Sequence, residues 1–141
     1  KLSMYVLRSK VKLADLSGTH ETIGLAGPHL GINARIVAVR LAASATTVYV
    51  NPEIVWRSDE QKVYEEGCLS VPGLRGLVPR WKQLRYEGYD PLGGYIVREV
   101  DGFHARVVQH ETDHLDGILY PMRVRDMRRF GFTDILFPDR V

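Results

Sequence analysis

The densest chemistry in the chain lies in five consecutive residues, His110-Glu111-Thr112-Asp113-His114. Two histidines four positions apart on a helix project onto one face, close enough to bind one metal ion, and the glutamate beside them is placed to reach a water molecule there. The HExxH pattern therefore predicts metal-assisted hydrolysis, with His110 and His114 as ligands and Glu111 as the proton acceptor. The bland alternative is two histidines hydrogen-bonded within a helix, and a third ligand would separate the two readings.

A catalytic metal ordinarily takes three protein ligands and keeps a fourth position open. No Glu and no His follows His114, and the longer pattern HExxHxxGxxH holds as far as Gly117 and then fails, because Tyr120 stands where the third histidine would be. The third ligand must come from upstream, where His20, His29, His104, several carboxylates and Cys68 are available. A thiolate is the strongest candidate for a soft-to-borderline metal. Cys68 is the only cysteine, so no intramolecular disulfide can form, and its alternative role is inert packing.

Three separated segments resemble the peptide deformylase family, whose signature is GxGxAAPQxG, then EGCLS, then QHExDHLxG. The chain reads T-I-G-L-A-G-P-H-L-G from Thr22, E-G-C-L-S from Glu66 and Q-H-E-T-D-H-L-D-G from Gln109, in that order. The likeness continues through Arg75 and Leu77-Val78-Pro79-Arg80. The first segment departs at Thr22 for a glycine, Gly27 for an alanine and His29 for a glutamine.

The resemblance implies removal of the formyl group from the N-terminal formyl-methionine of nascent polypeptides, with release of formate. It implies one divalent ion per chain on Cys68, His110 and His114: Fe(II) in the cell, with Zn, Ni or Co able to take its place in purified protein. Glu111 would carry the proton. The backbone N–H of Leu69 and, in the glutamine's place, His29 would stabilise the oxyanion. Glu66 and Arg80 would pair to hold the cysteine loop. Substrate peptide would lie extended along Ile23, Gly24 and Gly67 as an added strand. Phe103 and Val107 would line an apolar pocket for methionine, with ordinary core packing as the alternative. Two rivals remain: a non-catalytic paralogue that binds metal and formyl-peptide only, which the change to His29 favours, and a metallo-endopeptidase with an unusual ligand set.

These residues need elements to position them. Asp101-Gly102 introduces a helix on which Phe103, Val107, His110 and His114 form one buried stripe. Gly24, Gly27, Pro28 and Gly31 punctuate a loop, and residues 36–41 and 46–50 are short and β-branched enough for strands. Residues 77–90 alternate, and Pro91-Leu92-Gly93-Gly94 leads into 95–100, which predicts a hairpin. Residues 2–16 loosely suit an amphipathic helix. Pattern and resemblance together predict an α+β fold, antiparallel strands packed around the central HExxH helix.

The 141 residues suffice for one domain, read as 1–141, with the family's leading segment truncated or diverged. A net charge of +2 is too small to imply nucleic-acid binding, and Arg123, Arg125, Arg128 and Arg129 are read as a solvated face. No apolar run approaches the roughly 20 residues that span a bilayer. A monomer is expected, in the bacterial cytosol, or in a mitochondrion or plastid if a transit peptide has been removed ahead of Lys1. Ribosome contact would suit a nascent-chain substrate, although residues 130–141 are short for a docking helix.

Overall fold

The computed structural model describes residues 24–41 and 45–140. The helix expected over 2–16 lies outside them, as do His20 and Ile23.

Among the described residues, eight antiparallel strands form two sheets. Strands β1 (Gly24–Ala26), β2 (Ile36–Val39), β3 (Thr47–Arg57), β6 (Gln83–Tyr89) and β7 (Tyr95–Asp101) make the larger, in that spatial order. Strands β4 (Gln61–Cys68), β5 (Val71–Trp81) and β8 (Phe130–Phe132) make the smaller. The helix α1 (Gly102–Leu115) packs against both, touching β1, β2, β6 and β7 on one side and β5 on the other. It carries the whole HExxH segment.

Strand β2 is buried along its whole length because both of its faces are covered. Val37 and Val39 join Ala26, Tyr49, Leu84 and Tyr86 against Ala105, Val107 and Val108 of α1. Ile36 and Ala38, one residue out of phase, join Leu25, Val48 and Val50 on the opposite face. A strand buried on both faces reads as a continuous apolar run, which is how it stands out in the sequence.

The hairpin expected around Pro91 is present as β6 and β7, with Tyr89 opposite Tyr95. Asp90 closes its turn by accepting the N–H groups of Leu92 and Gly94 at 2.7 and 2.9 Å. The alternating run that leads into it is two strands, not one. Residues up to Trp81 pair with β4 in the smaller sheet, Lys82 breaks the run, and Gln83 onward pairs in the larger sheet. Strand β3 is also longer than expected, passing through Pro52 with register shifts on either side of Ile54. Strand β4, which ends on Cys68, is rich in charged residues and shows no apolar alternation to announce it.

Helix α1 begins at Gly102, whose positive φ of 55° turns the chain from β7 into the helix. It ends where Gly117 takes a φ of 72° and the Asp116 and Ile118 N–H groups fold back on the Asp113 carbonyl.

Candidate metal centre

His110 and His114 sit one turn apart on the face of α1 that meets the β4–β5 hairpin, with ring centroids 4.8 Å apart. Cys68 arrives from the end of β4, where a register shift after Glu66 swings the strand and sets Cys68 opposite Val71. Its Sγ lies 3.4 Å from His114 Nε2. Burial pushes the thiol up, but His110, His114, His29 and the Ser70 N–H outweigh it and hold Cys68 at about 3, as a thiolate.

His29, at the end of the short 3-10 turn after β1, is the fourth member. Its Nε2 is 3.9 Å from Cys68 Sγ and its ring meets that of His114 edge-on at 4.1 Å. The tightest triad of donor atoms is in fact His29, Cys68 and His114, all within 4.8 Å of one another. His110 reaches the centre differently: Nδ1 is engaged by Glu66 Oε2 at 2.9 Å, which leaves Nε2 for the centre. His104 is excluded as a ligand by its place, half-buried beside the Tyr86 hydroxyl at 3.3 Å.

Glu111 is buried beside the cluster, and one of its carboxylate oxygens, Oε2, has no hydrogen-bond partner among the described residues. Burial pushes its pKa up, against the pull of His110, His114 and His29. The carboxylate fits because residue 24 is glycine: a Cβ there would stand 2.4 Å from Glu111 Oε1. A thiolate and imidazoles converging on one point, with an orphaned buried carboxylate oxygen aimed beside them, are a donor set that fits a divalent metal.

Glu66 anchors the arrangement. It accepts from Arg80 Nε and Nη2 at 2.9 and 3.0 Å, from Arg106 Nη1 at 2.7 Å and from His110. Burial raises its pKa, but His110 and then Arg80 overcome that and hold it at about 2. Arg80 also reaches Asp113 at 2.6 Å, which binds Arg123 in turn. The expected Glu66–Arg80 pair is therefore no loose surface contact, since both side chains are 5% exposed.

Arg106, Gln109 and Asp113 were not anticipated. Arg106 sits four residues before His110 on the buried side of α1, and Gln109 clamps the Trp81 backbone through both its amide atoms. The available signal was polar side chains at helix positions that face the core. Tyr120, where the longer pattern fails, packs its ring parallel to His110, with centroids 6.3 Å apart.

A cavity of about 590 Å³ opens over the cluster, and Gly24, Gly67, Leu69, Phe103 and Val107 all line it. One correction follows. Phe103 is 54% exposed and lines the cavity, so it belongs to the cavity wall and not to a buried stripe. Thr133 and Arg140 from the C-terminal residues also reach the cavity, Arg140 by pairing with Glu65 and Tyr64. The arginine group is exposed, with Arg123 paired to Asp113, Arg125 to Gln61 and Arg128 to Asp126.

Residues 6–130 match the family model described as polypeptide deformylase. The chain is 52% identical to peptide deformylase 1 of Bordetella pertussis over 126 residues, covering 83% of this chain and 72% of the relative. Among solved structures, the Thermotoga maritima peptide deformylase superposes with a TM-score of 0.82 at 31% identity, over 89% of this chain and 85% of that one. A peptide deformylase from Acinetobacter baumannii, solved with Met-Ala-Ser bound, superposes at 0.68 with 39% identity, over 72% and 70% of the two chains.

Proposed function

The chain belongs to the polypeptide deformylase family, and from that premise we propose that Cys68, His110 and His114 are its metal ligands, Glu111 its proton carrier, and Leu69 and His29 its oxyanion donors. As a peptide deformylase it is a metal-dependent hydrolase that frees the N-terminus of formylated nascent peptides and releases formate. The observation that carries the residue assignments is the convergence of Cys68, His29 and the two α1 histidines beside the orphaned Glu111 carboxylate.

A divalent metal at this centre lowers the pKa of water and polarises a carbonyl oxygen. Iron(II) is the proposed ion in the cell, with Zn, Ni or Co as substitutes, since one thiolate and two imidazoles suit each of them. Glu111, its pKa raised by burial, takes a proton from the attacking water. It then returns that proton to the departing amine as the C–N bond of the formamide breaks. The Leu69 N–H and His29 Nε2 donate to the oxygen on which charge develops.

The substrate peptide lies extended along Gly24 and Gly67, with Ile23 continuing that edge, and the methionine side chain packs against Phe103 and Val107. The Acinetobacter relative was solved with Met-Ala-Ser bound, a tripeptide with the form of a deformylated product, which supports a peptide as the ligand of this cavity. Glu66 and Arg80 hold His110 and the cysteine strand in place.

The test is formate release from formyl-Met-Ala-Ser by anaerobically prepared, iron-loaded protein, with Glu111→Ala as control. Release that disappears in the control while bound iron remains supports the assignments. No release from the iron-loaded wild type would point instead to a paralogue that only binds. New termini from an unblocked peptide would revive the endopeptidase.

A further inference from the structure

His29 poses a question the rest of the centre does not. Its Nε2 stands as close to Cys68 Sγ as a fourth ligand would, and its ring rests against His114. A fourth protein ligand would close the centre, because a catalytic ion needs one open position.

The other ring nitrogen decides. The backbone N–H of Ala26 donates to His29 Nδ1 at 3.0 Å. A nitrogen that accepts an N–H carries no proton, so in the neutral ring the proton sits on Nε2. To bind a metal through Nε2, the proton would have to move to Nδ1, where it would face the Ala26 N–H directly. The turn has little freedom to relieve that clash. Ile32 N–H is bonded to the Gly27 carbonyl at 3.0 Å and Gly31 N–H to that of Pro28 at 3.1 Å. Gly27 itself is packed so closely that a Cβ would stand 2.5 Å from the Ala34 carbonyl oxygen.

We propose that the Ala26 amide locks His29 as the Nε2–H tautomer, making it a hydrogen-bond donor to the reacting carbonyl oxygen and excluding it from the ligand set. The inference rests on the deformylase reading for the identity of that oxygen. The exclusion from the ligand set rests on the Ala26 bond alone. The lock keeps the fourth coordination position free for water or substrate. It also gives the ring an N–H donor of the kind a glutamine amide would supply, with the backbone fixing which nitrogen carries it.

The tautomer is directly measurable in zinc-loaded protein labelled with nitrogen-15 histidine, using long-range proton–nitrogen correlations, with His29→Gln to assign the signals. The expected result is a ring, absent from the variant, with bare Nδ1 and protonated Nε2 while zinc is bound. A His29 ring with protonated Nδ1 and a zinc-shifted Nε2 would overturn the proposal.

Kinetics on iron-loaded protein test the donor half separately. His29→Ala should lose roughly a hundredfold to a thousandfold in kcat, with a smaller change in KM, and His29→Gln should restore part of it. An unchanged kcat in His29→Ala would refute the donor role. Absence of formate release from the wild type would sink the deformylase reading while leaving the spectroscopic answer intact.

Discussion

Glu111 and Gly24 form a single device at the residue scale. The carboxylate occupies the space that any side chain at position 24 would need, since a Cβ would lie 2.7 Å or less from three of its atoms. Gly24 was expected to serve the substrate, and it does line the cavity, but its lack of a side chain first makes room for Glu111, the proposed general base. Gly24→Ala should therefore displace Glu111 and reduce kcat by at least about a hundredfold, the range in which positioned proton transfer operates. Zinc content should be unchanged, because the ligands do not touch that space. A variant with normal kcat would show that the carboxylate works from another position.

The elements meet at Glu66. It belongs to β4, Arg80 to β5, and Arg106 and His110 to α1, so one carboxylate ties both strands of the cysteine hairpin to the metal helix. Removing its charge leaves the buried Arg106 guanidinium without a carboxylate partner and Arg80 with Asp113 alone, and breaking a buried pair costs about 3–5 kcal/mol. Glu66→Gln should lower thermal stability accordingly and weaken metal binding roughly tenfold to a hundredfold through the lost grip on His110.

The pH dependence has a definite sign. The folded pKa of about 2 lies below the ordinary 4.5, so the stabilisation is complete above the ordinary value and is lost as pH falls toward 2. Denaturant titrations between pH 5 and 2 should show this slope in the wild type and a shallower one in Glu66→Gln. Equal slopes would assign the acid lability to other carboxylates.

For the whole molecule, a metal on the proposed ligands would join parts that are distant in sequence. Cys68 sits on the smaller sheet and the two histidines on α1. An ion that binds only the folded arrangement adds stability by mass action, about 1.4 kcal/mol for each tenfold of free ion above its dissociation constant. Chelation should therefore lower the melting temperature, and zinc should restore it in proportion to the logarithm of its free concentration. A melting temperature indifferent to zinc would mean that the folded chain does not hold the ion selectively.

The membrane question has a narrower answer: no helix among the described residues is long and apolar enough to cross a bilayer.

The sequence alone determined what depends on near neighbours along the chain. The four-residue step from His110 to His114 is helical geometry, the Asp90–Gly94 turn is local backbone chemistry, and β2 announces itself as an unbroken apolar run. Motif order also brought Cys68 and Glu66 to notice, although β4 has no strand pattern of its own. Tertiary structure decided what depends on approach between distant segments: the recruitment of Arg106 to Glu66 across 40 residues, the space Gly24 leaves for Glu111, and the division of residues 77–90 between two sheets. It also decided the orientation of His29, for a residue name specifies two ring nitrogens, and only the backbone amide facing one of them selects which carries the proton.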